Sequence, residues 1–471
     1  MYQRLKYGKL DWHLMVIYLA LMLIGWISVF ASVYDEEHAR IFDITQRYGM
    51  QFIWIISSLV IAYFILFVIN PKSYHVIAWL LYAGTILLLI VVIFFGVEVN
   101  GSKSWFMIGP MRLQPAEFSK ITTALALAAL LSKHNFKLGS LSSYLKVIAL
   151  LIAPMLLIVM EKETGSALVY LAFFFVLFRE GMSGTILAIG LLAILLFILT
   201  LSFSPFISLL VLVIILSIIE TINSKKIFTN ILFMVVFFPA LYYSPRLAEL
   251  SVFSRFTSLP AEVWMFILLI PLIIYQIYRA LKRKVAYLWY LLICFVGSVA
   301  LIYSVQFLFN KVLQPHQRVR IENLLGIEND LQGWGYNVHQ SKIAIGSGGF
   351  AGKGFLQGTQ TKFDFVPEQS TDFIFCTIGE EWGFVGSLFV IVLFVYMLIR
   401  ILNLADKQRD SFARIYGYSV ASLIFFHFFI NIGMTIGLTP VIGIPLPFIS
   451  YGGSSLWSFT ILIFIFIRLE L

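Results

Sequence analysis

Apolar residues along this chain fall into long runs that are separated by short polar segments. Two typical runs are WHLMVIYLALMLIGWISVFASV (residues 12–33) and YHVIAWLLYAGTILLLIVVIFF (residues 74–95). Each run meets the roughly 20 residues that an α-helix needs to cross about 30 Å of hydrocarbon, and the aromatic residues at the run ends suit the membrane interface. The pattern predicts an all-α, polytopic integral membrane protein.

Counting these runs predicts about fourteen transmembrane helices, several of them near the short end of the spanning range. The first run is too long for the core of a signal peptide, so it is expected to stay as the first span. An even number of spans returns the chain to its starting side, which the basic N-terminus and the basic loops KHNFK, NSKK, RALKRK and DKQRD identify as the cytoplasm. The predicted helices begin near Trp12, Met50, Tyr74, Glu117, Val147, Gly165, Met182, Pro205, Ile227, Ala261, Val285, Gly383, Phe412 and Leu446.

Composition supports the same class. Hydrophobic residues make up 60% of the chain and charged residues 12%, whereas a soluble domain is about 25% charged; the mean hydropathy is +0.93. The formal net charge of +9 follows from the basic loops on one side of the membrane, so it does not indicate a nucleic-acid partner. Cys294 and Cys376 are far apart and lie in or beside predicted spans, which argues against a disulfide framework or a thiolate metal site.

The chain is interpreted as one membrane domain over residues 1–471, because it contains no internal repeat and no linker rich in charge or in Ser and Gly. Three polar segments are expected outside the membrane: residues 100–116, the hinge EKETGS (residues 161–166) and a large loop at residues 310–372. Loops longer than about 15 residues are usually functional or disordered. The large loop is therefore expected to carry the functional site.

Part of that loop, AIGSGGFAGKGF (residues 344–355), has the composition of a phosphate-binding loop but not its register. Counting back from Gly352 and Lys353, a P-loop requires Gly at position 347 and Ser or Thr at position 354, where this chain has Ser347 and Gly354. We therefore expect no nucleotide and no organic cofactor. The segment is interpreted as a flexible turn that allows close approach of the backbone.

Basic residues of the large loop are candidates for binding an anionic group. Arg318 and Arg320, which stand with Gln317 in QPHQRVRI directly after a predicted span, are placed to meet a phosphate at headgroup depth. Lys353 has two equally weighted interpretations, a substrate contact or a charge without a role, since long loops cross the membrane whatever their charge.

Glu117 and Lys120 lie three residues apart where QPAEFSK opens a helix, and this spacing predicts an ion pair on one helix face. The pair is a candidate part of the substrate site, or only an anchor for the helix end. Glu380 and Glu381 are candidates for helix packing or for a relay, and we favour the structural interpretation.

Asp372 stands in PEQSTDFIFCTIGEEWG, directly before an apolar run. A carboxylate at a membrane boundary costs free energy unless it is hydrated, paired or used. Two interpretations are open: a catalytic group, or an N-cap that accepts backbone N–H bonds. The segment PLPFISYGGSS (residues 445–455), which contains Ser450, is expected to form part of the outer site or only a rigid helix start. His427 and Asn431 are interpreted as a satisfied core pair rather than as metal ligands.

At these segments the chain resembles the SEDS (RodA/FtsW) family of polytopic cell-wall proteins. The resemblance is carried by NGSKSWFMIGPMRLQPAEFSK, QRVRIENLL, GYNVHQSKIAIGSGGFAGKGFLQGTQ, FVPEQSTDFIFCTIGEEWGFVGS and NIGMTIGLTPVIGIPLPFISYGGSS. GKGF and the following GTQ favour the elongation type over the division type.

The chain also departs from the family pattern. The hinge has EKETGSA in place of QPDLGTA, with Glu163 at the acidic position, and Ser370 stands where the family commonly has His. Residues 182–281 contain about four hydrophobic segments beyond the family core of about ten spans, and we interpret them as inserted helices.

The resemblance implies a glycosyltransferase that polymerises lipid II, the undecaprenyl-pyrophosphate-linked disaccharide pentapeptide, into glycan strands during cell-wall elongation. It implies that Asp372 is the general base and that Trp105, Glu117, Lys120 and Arg320 occupy other motif positions. A basic side chain or a divalent cation, Mg or Mn, would stabilise the departing pyrophosphate. The implied partners are a class B penicillin-binding protein and other elongation proteins, and the implied location is the inner membrane of a bacterium with the site on its extracytoplasmic face.

Two other functions are kept open. A flippase or transporter for the same lipid is disfavoured, because transporters tend to carry internal repeats and midplane charges, whereas the charged groups here gather at the outer ends of the spans. A non-catalytic scaffold that activates the penicillin-binding protein predicts that Asp372 can be replaced freely.

Overall fold

The structure is a computed structural model that describes residues 10–34, 43–99, 101–109, 111–134, 136–224, 239, 242–243, 261–283, 286–311, 318 and 335–471. Within these residues helices dominate, which confirms the prediction of an all-α, polytopic protein. Helix suits long apolar runs because it bonds backbone N–H and C=O groups within the same segment, where lipid offers no partner.

The helices of the first half are α1 Trp12–Ser32, α2 Arg47–Phe67, α3 Pro71–Phe95, α4 Pro115–Leu131, α5 Leu141–Met160, α6 Thr164–Leu168, α7 Phe173–Arg179, α8 Gly184–Ser202 and α9 Pro205–Ser224. A short 3-10 helix, Val169–Ala172, joins α6 to α7. The later helices are α10 Ala261–Arg283, α11 Ala286–Lys311, α12 Tyr336–Ser347, α13 Thr359–Lys362, α14 Ile374–Asp406, α15 Ser411–Thr435 and α16 Gly453–Glu470.

Of the described helices, 11 are long and apolar enough to cross a membrane. Two further predicted spans are shorter: α4 has 17 residues, and the other is the apolar segment Thr164–Arg179. The predicted span near Ile227 lies outside the described residues. The total of fourteen spans therefore stays a prediction.

Three predicted helix starts are wrong. Helix α5 begins at Leu141 rather than near Val147, because Ser140 caps an earlier polar turn by accepting the Ser143 N–H. Helix α14 begins at Ile374 rather than near Gly383, because the loop bonds the carboxylates of Glu380 and Glu381 and so allows them inside the helix. Gly383 instead interrupts α14 with φ 65°, a conformation that favours glycine. Helix α16 begins at Gly453 rather than near Leu446, because residues 440–452 form an irregular segment. We call residues 440–452 the proline loop.

A small antiparallel sheet occupies the polar segment between α3 and α4, where the sequence predicted no strands. Its strands are β1 Val97–Val99, β2 Ser102–Ile108 and β3 Met111–Leu113, in the order β1-β2-β3. Trp105, a predicted site residue, lies on β2 opposite Val97 and is partly buried. The sheet connects α3 to α4.

The chain divides into two compact units. The first comprises residues 1–182 and 330–471, and the second comprises residues 183–329. The described part of the second unit is α8 to α11, which share a cluster of buried apolar side chains formed by Leu196, Leu209, Leu212, Val213, Met265, Leu269 and Ile302. Residues 183–281 of the predicted insertion fall in this unit, and their status as an insertion stays a prediction.

Helix α15 is the most buried of the described spans of the first unit. It packs against α4, α14 and α16, and its C-terminal part meets the proline loop. On another side the loop touches α1, where a Cβ atom on Gly25 would lie 2.6 Å from the Ile449 Cα atom and 2.8 Å from the Phe448 carbonyl oxygen. Gly25 thus lets α1 approach the backbone of the loop.

We expect Gly25→Ala to lower the melting temperature in detergent, because the added methyl group would overlap backbone atoms that cannot rotate away. Overpacking of this kind costs about 1–3 kcal/mol. Gly84→Ala is the matched control, since Gly84 lies in α3 and a Cβ atom added there would have no neighbouring atom within 4 Å. Equal melting temperatures for the two variants would contradict the proposed close contact.

Candidate active site

Asp372 lies in the turn that leads into α14. The helix begins at Ile374 without a side-chain cap, so the N-cap interpretation of Asp372 is wrong. Among the described residues none donates a hydrogen bond to the carboxylate of Asp372, which is partly exposed. Burial of much of the side chain and the nearby Glu368 carboxylate raise the pKa of Asp372 to about 7. The site therefore presents a weakly acidic, unpaired carboxylate.

The backbone around Asp372 is held to the proline loop by several hydrogen bonds. The Asn431 side chain on α15 donates Nδ2 to the Asp372 carbonyl at 2.8 Å and to the Ile444 carbonyl at 2.7 Å. The Ser450 hydroxyl donates to the Thr371 carbonyl at 2.6 Å. These bonds fix the main chain of Asp372 and leave its carboxylate unbonded.

The proline loop also faces the carboxylate itself. A Cβ atom on Gly443, whose φ is 74°, would lie 3.3 Å from Oδ2 of Asp372. The predicted outer-site role for residues 445–455 is thus compatible with the geometry. Ser450 contributes a backbone anchor, because its hydroxyl also accepts a bond from the Leu446 N–H at 2.8 Å. Its predicted role as a substrate contact stays a prediction.

Arg47, the first residue of α2, lies next to this turn and was missed in the sequence. It donates Nη1 to the Ser370 hydroxyl at 2.6 Å, and its guanidinium lies 6.0 Å from the centre of the Tyr451 ring. No carboxylate in the described residues forms an ion pair with it. The available signals were a cation at the start of a span and Ser370 in place of the family's His.

The predicted ion pair between Glu117 and Lys120 is confirmed, with Nζ 2.7 Å from Oε1. Each side chain is only 3% exposed, so the pair lies in the interior of the first unit. Lys120 also places Nζ 3.0 Å from Nε2 of His427. A substrate role for Glu117 and Lys120 stays a prediction.

His427 and Asn431 are buried and bonded, as predicted, but their partners differ from the prediction. Both bond the backbone of the proline loop, His427 through Nδ1 at 3.2 Å from the Pro445 carbonyl oxygen and Asn431 through the Ile444 carbonyl. No bond between the two side chains exists, because the irregular loop backbone supplies acceptors on the same face of α15.

The hinge adds two carboxylates near the Glu117–Lys120 pair, of which Glu161 is buried and Glu163 is half-buried. The Gln114 amide and the Ser166 hydroxyl donate to Oε1 of Glu163, while Oε2 of Glu163 and both carboxyl oxygens of Glu161 are buried without a hydrogen bond. Burial, and next the Glu163 carboxylate, raise the pKa of Glu161 to about 8. Burial, opposed by the Ser166 bond, also raises the pKa of Glu163.

Lys353 is engaged with α14, where its Nζ atom lies 2.6 Å from Oε1 of Glu380. The same carboxylate accepts bonds from the backbone N–H groups of Gln360 and Thr361, each at 2.9 Å. Glu381 accepts the Leu356 N–H at 3.1 Å. These bonds agree with a structural role for Glu380 and Glu381, which hold the loop before Asp372. A substrate role for Lys353 stays a prediction.

The remaining predicted site residues are not brought together with Asp372 by any described contact. The Arg318 guanidinium lies 5.1 Å from the centre of the Phe309 ring within the second unit. Gln317 and Arg320 lie outside the described residues. Trp105 lies on the small sheet. The roles of these four residues stay predictions.

The described residues contain no group of three or more His, Cys, Asp or Glu side chains arranged to hold a metal ion. The divalent cation, Mg or Mn, that the resemblance implies therefore stays a prediction.

We expect Glu161→Gln to stabilise the protein more at pH 8 than at pH 5. Folding raises the pKa of this carboxyl group from 4.5 to about 8, so the folded state binds a proton that the unfolded chain releases between these values. The free energy of unfolding then falls as the pH rises through this window, on the order of 3 kcal/mol in total. A neutral amide at position 161 does not titrate, so it removes this loss of stability at high pH.

Melting temperatures of Glu161→Gln and the wild type at pH 5 and pH 8 test this expectation. Glu98→Gln serves as the control, because Glu98 is an exposed strand residue. A difference between Glu161→Gln and the wild type that does not change with pH would show that Glu161 is ionised in the folded protein.

Known proteins with similar sequences identify the family of this chain. The chain matches the model of the FtsW/RodA/SpoVE family, described as cell cycle protein, over residues 11–219 and 283–471. It is 32% identical to the peptidoglycan glycosyltransferase RodA of Treponema pallidum (strain Nichols) over 457 residues, 95% of this chain and 94% of that protein. It is 29% identical to the peptidoglycan glycosyltransferase MrdB of Escherichia coli (strain K12), over 82% of this chain and 76% of that protein.

Solved structures share the fold. The rod shape determining protein RodA of Thermus thermophilus aligns with a TM-score of 0.55 and 19% identity, over 98% of this chain and 96% of that one. A chain from the structure of a peptidoglycan synthase complex that coordinates polymerization and crosslinking aligns with a TM-score of 0.60 and 21% identity, over 98% and 97%. Since the family model covers most of the sequence, this multi-pass membrane protein belongs to the FtsW/RodA/SpoVE family.

Proposed function

We propose that the protein is a peptidoglycan glycosyltransferase that polymerises lipid II into glycan strands, with Asp372 as the general base. The unpaired carboxylate of Asp372 carries this proposal, because it is recessed, reachable by solvent and held by its backbone. The names of the Treponema pallidum and Escherichia coli relatives support the reaction class.

The reaction joins the sugar of one lipid-linked chain to that of another. The acceptor hydroxyl oxygen forms a bond to the anomeric carbon of the donor, and the bond from that carbon to the pyrophosphate oxygen breaks. Asp372 takes the hydroxyl proton, and undecaprenyl pyrophosphate leaves with the bonding electron pair. A general base works best when its pKa lies near the working pH, and the pKa of Asp372 is raised to about 7.

The departing pyrophosphate requires positive charge nearby. Arg47 meets this need, because its guanidinium is oriented by the Ser370 hydroxyl two residues before Asp372. Guanidinium groups bind phosphate oxygens in a bidentate manner. We therefore add Arg47 to Arg318 and Arg320 as a candidate pyrophosphate contact. A divalent cation supplied with the substrate is a further source of charge, and no step here depends on it.

The site is proposed to face the extracytoplasmic side of a bacterial inner membrane. Helix α14 ends at the basic loop DKQRD, which is expected in the cytoplasm. The opposite end of this 33-residue helix starts two residues after Asp372. Lipid II is therefore expected to be polymerised at the outer surface, where the lipid-linked substrate already carries the reaction energy.

A class B penicillin-binding protein is the proposed partner, together with other proteins of cell-wall elongation. The similarity to a chain of a peptidoglycan synthase complex supports an assembly of this kind. A scaffold would have no use for an unpaired carboxylate with a pKa raised to about 7 at the end of a span. A transporter can use such a group as a proton relay, but the relatives from Treponema pallidum and Escherichia coli are named glycosyltransferases. Catalysis is therefore favoured over both alternatives.

We expect Asp372→Asn to reduce polymerisation by about 10²–10⁴-fold, the usual contribution of a general base. The measurement is conversion of lipid II to polymer on a gel, with the purified class B partner present. Asp364→Asn is the matched control, because Asp364 is exposed in the same loop and its Oδ1 accepts a bond from Gln369 that an amide oxygen can also accept. If Asp372→Asn makes nearly as much polymer as the wild type, Asp372 is not the base and the scaffold interpretation is favoured.

The rate should fall tenfold per pH unit below about 7, because protonation removes the base. Glu368→Gln should move this acidic limb of the pH–rate profile to lower pH, since the Glu368 carboxylate helps to raise the pKa of Asp372. Rate measurements from about pH 5 to about pH 9 on both proteins, spanning the range in which such a base titrates, test the shift. An unchanged limb would mean that the titrating group is not Asp372.

A further inference from the structure

We infer that His427 is a positioning residue that ties the buried Lys120 to the proline loop opposite Asp372. The inference rests on the proposed function, because it concerns the geometry of that site. His427 lies on α15 and is 1% exposed. It therefore acts through protein neighbours and does not touch substrate.

The two ring nitrogens of His427 face partners of opposite kind. Nδ1 lies 3.2 Å from the Pro445 carbonyl oxygen, which can only accept a hydrogen bond. Nε2 lies 3.0 Å from the Lys120 ammonium, which can only donate. The bonding pattern therefore assigns a neutral ring with its proton on Nδ1 and a lone pair on Nε2.

The ring is fixed by packing as well as by hydrogen bonds. It packs edge-to-face with the Phe459 ring on α16, with centroids 4.8 Å apart and planes at 89°. The Lys120 ammonium lies 5.5 Å from the centre of the same ring. Phe459 therefore holds His427 and Lys120 together, and a displaced side chain at either position would lose both contacts.

Adjacent turns of α15 bond adjacent carbonyls of the proline loop. Asn431 bonds the Ile444 carbonyl and, four residues earlier, His427 bonds the Pro445 carbonyl. The loop has no regular secondary structure at these residues, so its carbonyls depend on side-chain partners. Because Gly443 faces the Asp372 carboxylate, the position of the loop sets the shape of the site on that side.

On its other side His427 reaches the Glu117–Lys120 ion pair of α4. The path from this pair to Asp372 thus runs through Lys120, His427, Pro445 and Gly443. Removing the imidazole leaves the Pro445 carbonyl without its donor and Lys120 without one acceptor. We expect the loop to shift, turnover to fall and the affinity for lipid II to change little.

The test compares three substitutions. Glutamine can satisfy both partners, since its amide N–H donates to the carbonyl and its oxygen accepts from the ammonium. Asparagine keeps the amide but is too short to reach both, and leucine bonds neither. We expect His427→Gln to keep kcat within about threefold of the wild-type value. His427→Asn and His427→Leu should lower kcat by about 10–10²-fold, which is the loss that a misplacement of about 1 Å causes at an active site. KM should stay within about twofold of the wild-type value in all three variants.

A double-mutant cycle separates positioning through Lys120 from an independent effect. If Lys120 helps to position His427, His427→Asn should lower kcat by a smaller factor in the Lys120→Met background than in the wild-type background. If the two substitutions lower kcat by independent factors that multiply in the double variant, the link to Lys120 is overturned. Wild-type kcat in His427→Asn, or inactivity of a folded His427→Gln, would overturn the positioning role.

A readout that does not need activity keeps the inference separate from the proposed function. In protein labelled with ¹⁵N-histidine, the ring signal that disappears in His427→Gln should be that of a neutral ring protonated on Nδ1, and it should shift in Lys120→Met. If the signal that disappears belongs to a ring protonated on Nε2, the assignment is overturned. If the ring signals are as expected while the wild type makes no polymer, the proposed function fails and the contact with Lys120 stands.

Discussion

The hydrogen-bonding needs of the proline loop control the geometry of the candidate site. An irregular backbone inside a membrane protein costs free energy for every N–H or C=O group left without a partner. Side chains from α15 meet part of this need, as Asn431 and His427 bond consecutive carbonyls of the loop. Because Asn431 also bonds the Asp372 carbonyl, the same helix places the Asp372 carboxylate against the loop.

The carboxylates of the first unit fall into groups with different surroundings. Glu380 and Glu381 are bonded by backbone N–H groups of the loop before Asp372 and serve as anchors. Glu161 and Glu163 lie in the hinge, where burial raises the pKa of each. Asp372 combines a raised pKa with partial exposure. Glu163 is also partly exposed, but its carboxylate accepts bonds from Gln114 and Ser166. The Asp372 carboxylate accepts no bond from the described residues, so it is better suited to proton transfer with an outside substrate.

Helix α14 connects these features mechanically. Asp372 lies just before its first turn, and Glu380 and Glu381 lie about two turns further along. The loop segment at Lys353 to Thr361 is therefore bonded to the same rigid element that begins directly after Asp372. A site built on a helix is held more accurately than one on a free loop, which is consistent with a reaction that aligns two large lipid-linked substrates.

The sequence by itself determined the membrane class, most helix positions and the Glu117–Lys120 ion pair, because long apolar runs and three-residue spacing are local properties of a helix. It also identified Asp372 as a candidate, since a carboxylate directly before an apolar run is visible in the sequence. It did not determine the partners of His427, the place of Arg47, the unpaired state of Glu161 or the true starts of α14 and α16. Those features join segments far apart in the chain, such as Arg47 with Ser370 and Lys120 with His427. Only the tertiary structure decided them, since a hydrogen bond over such separations has no local pattern.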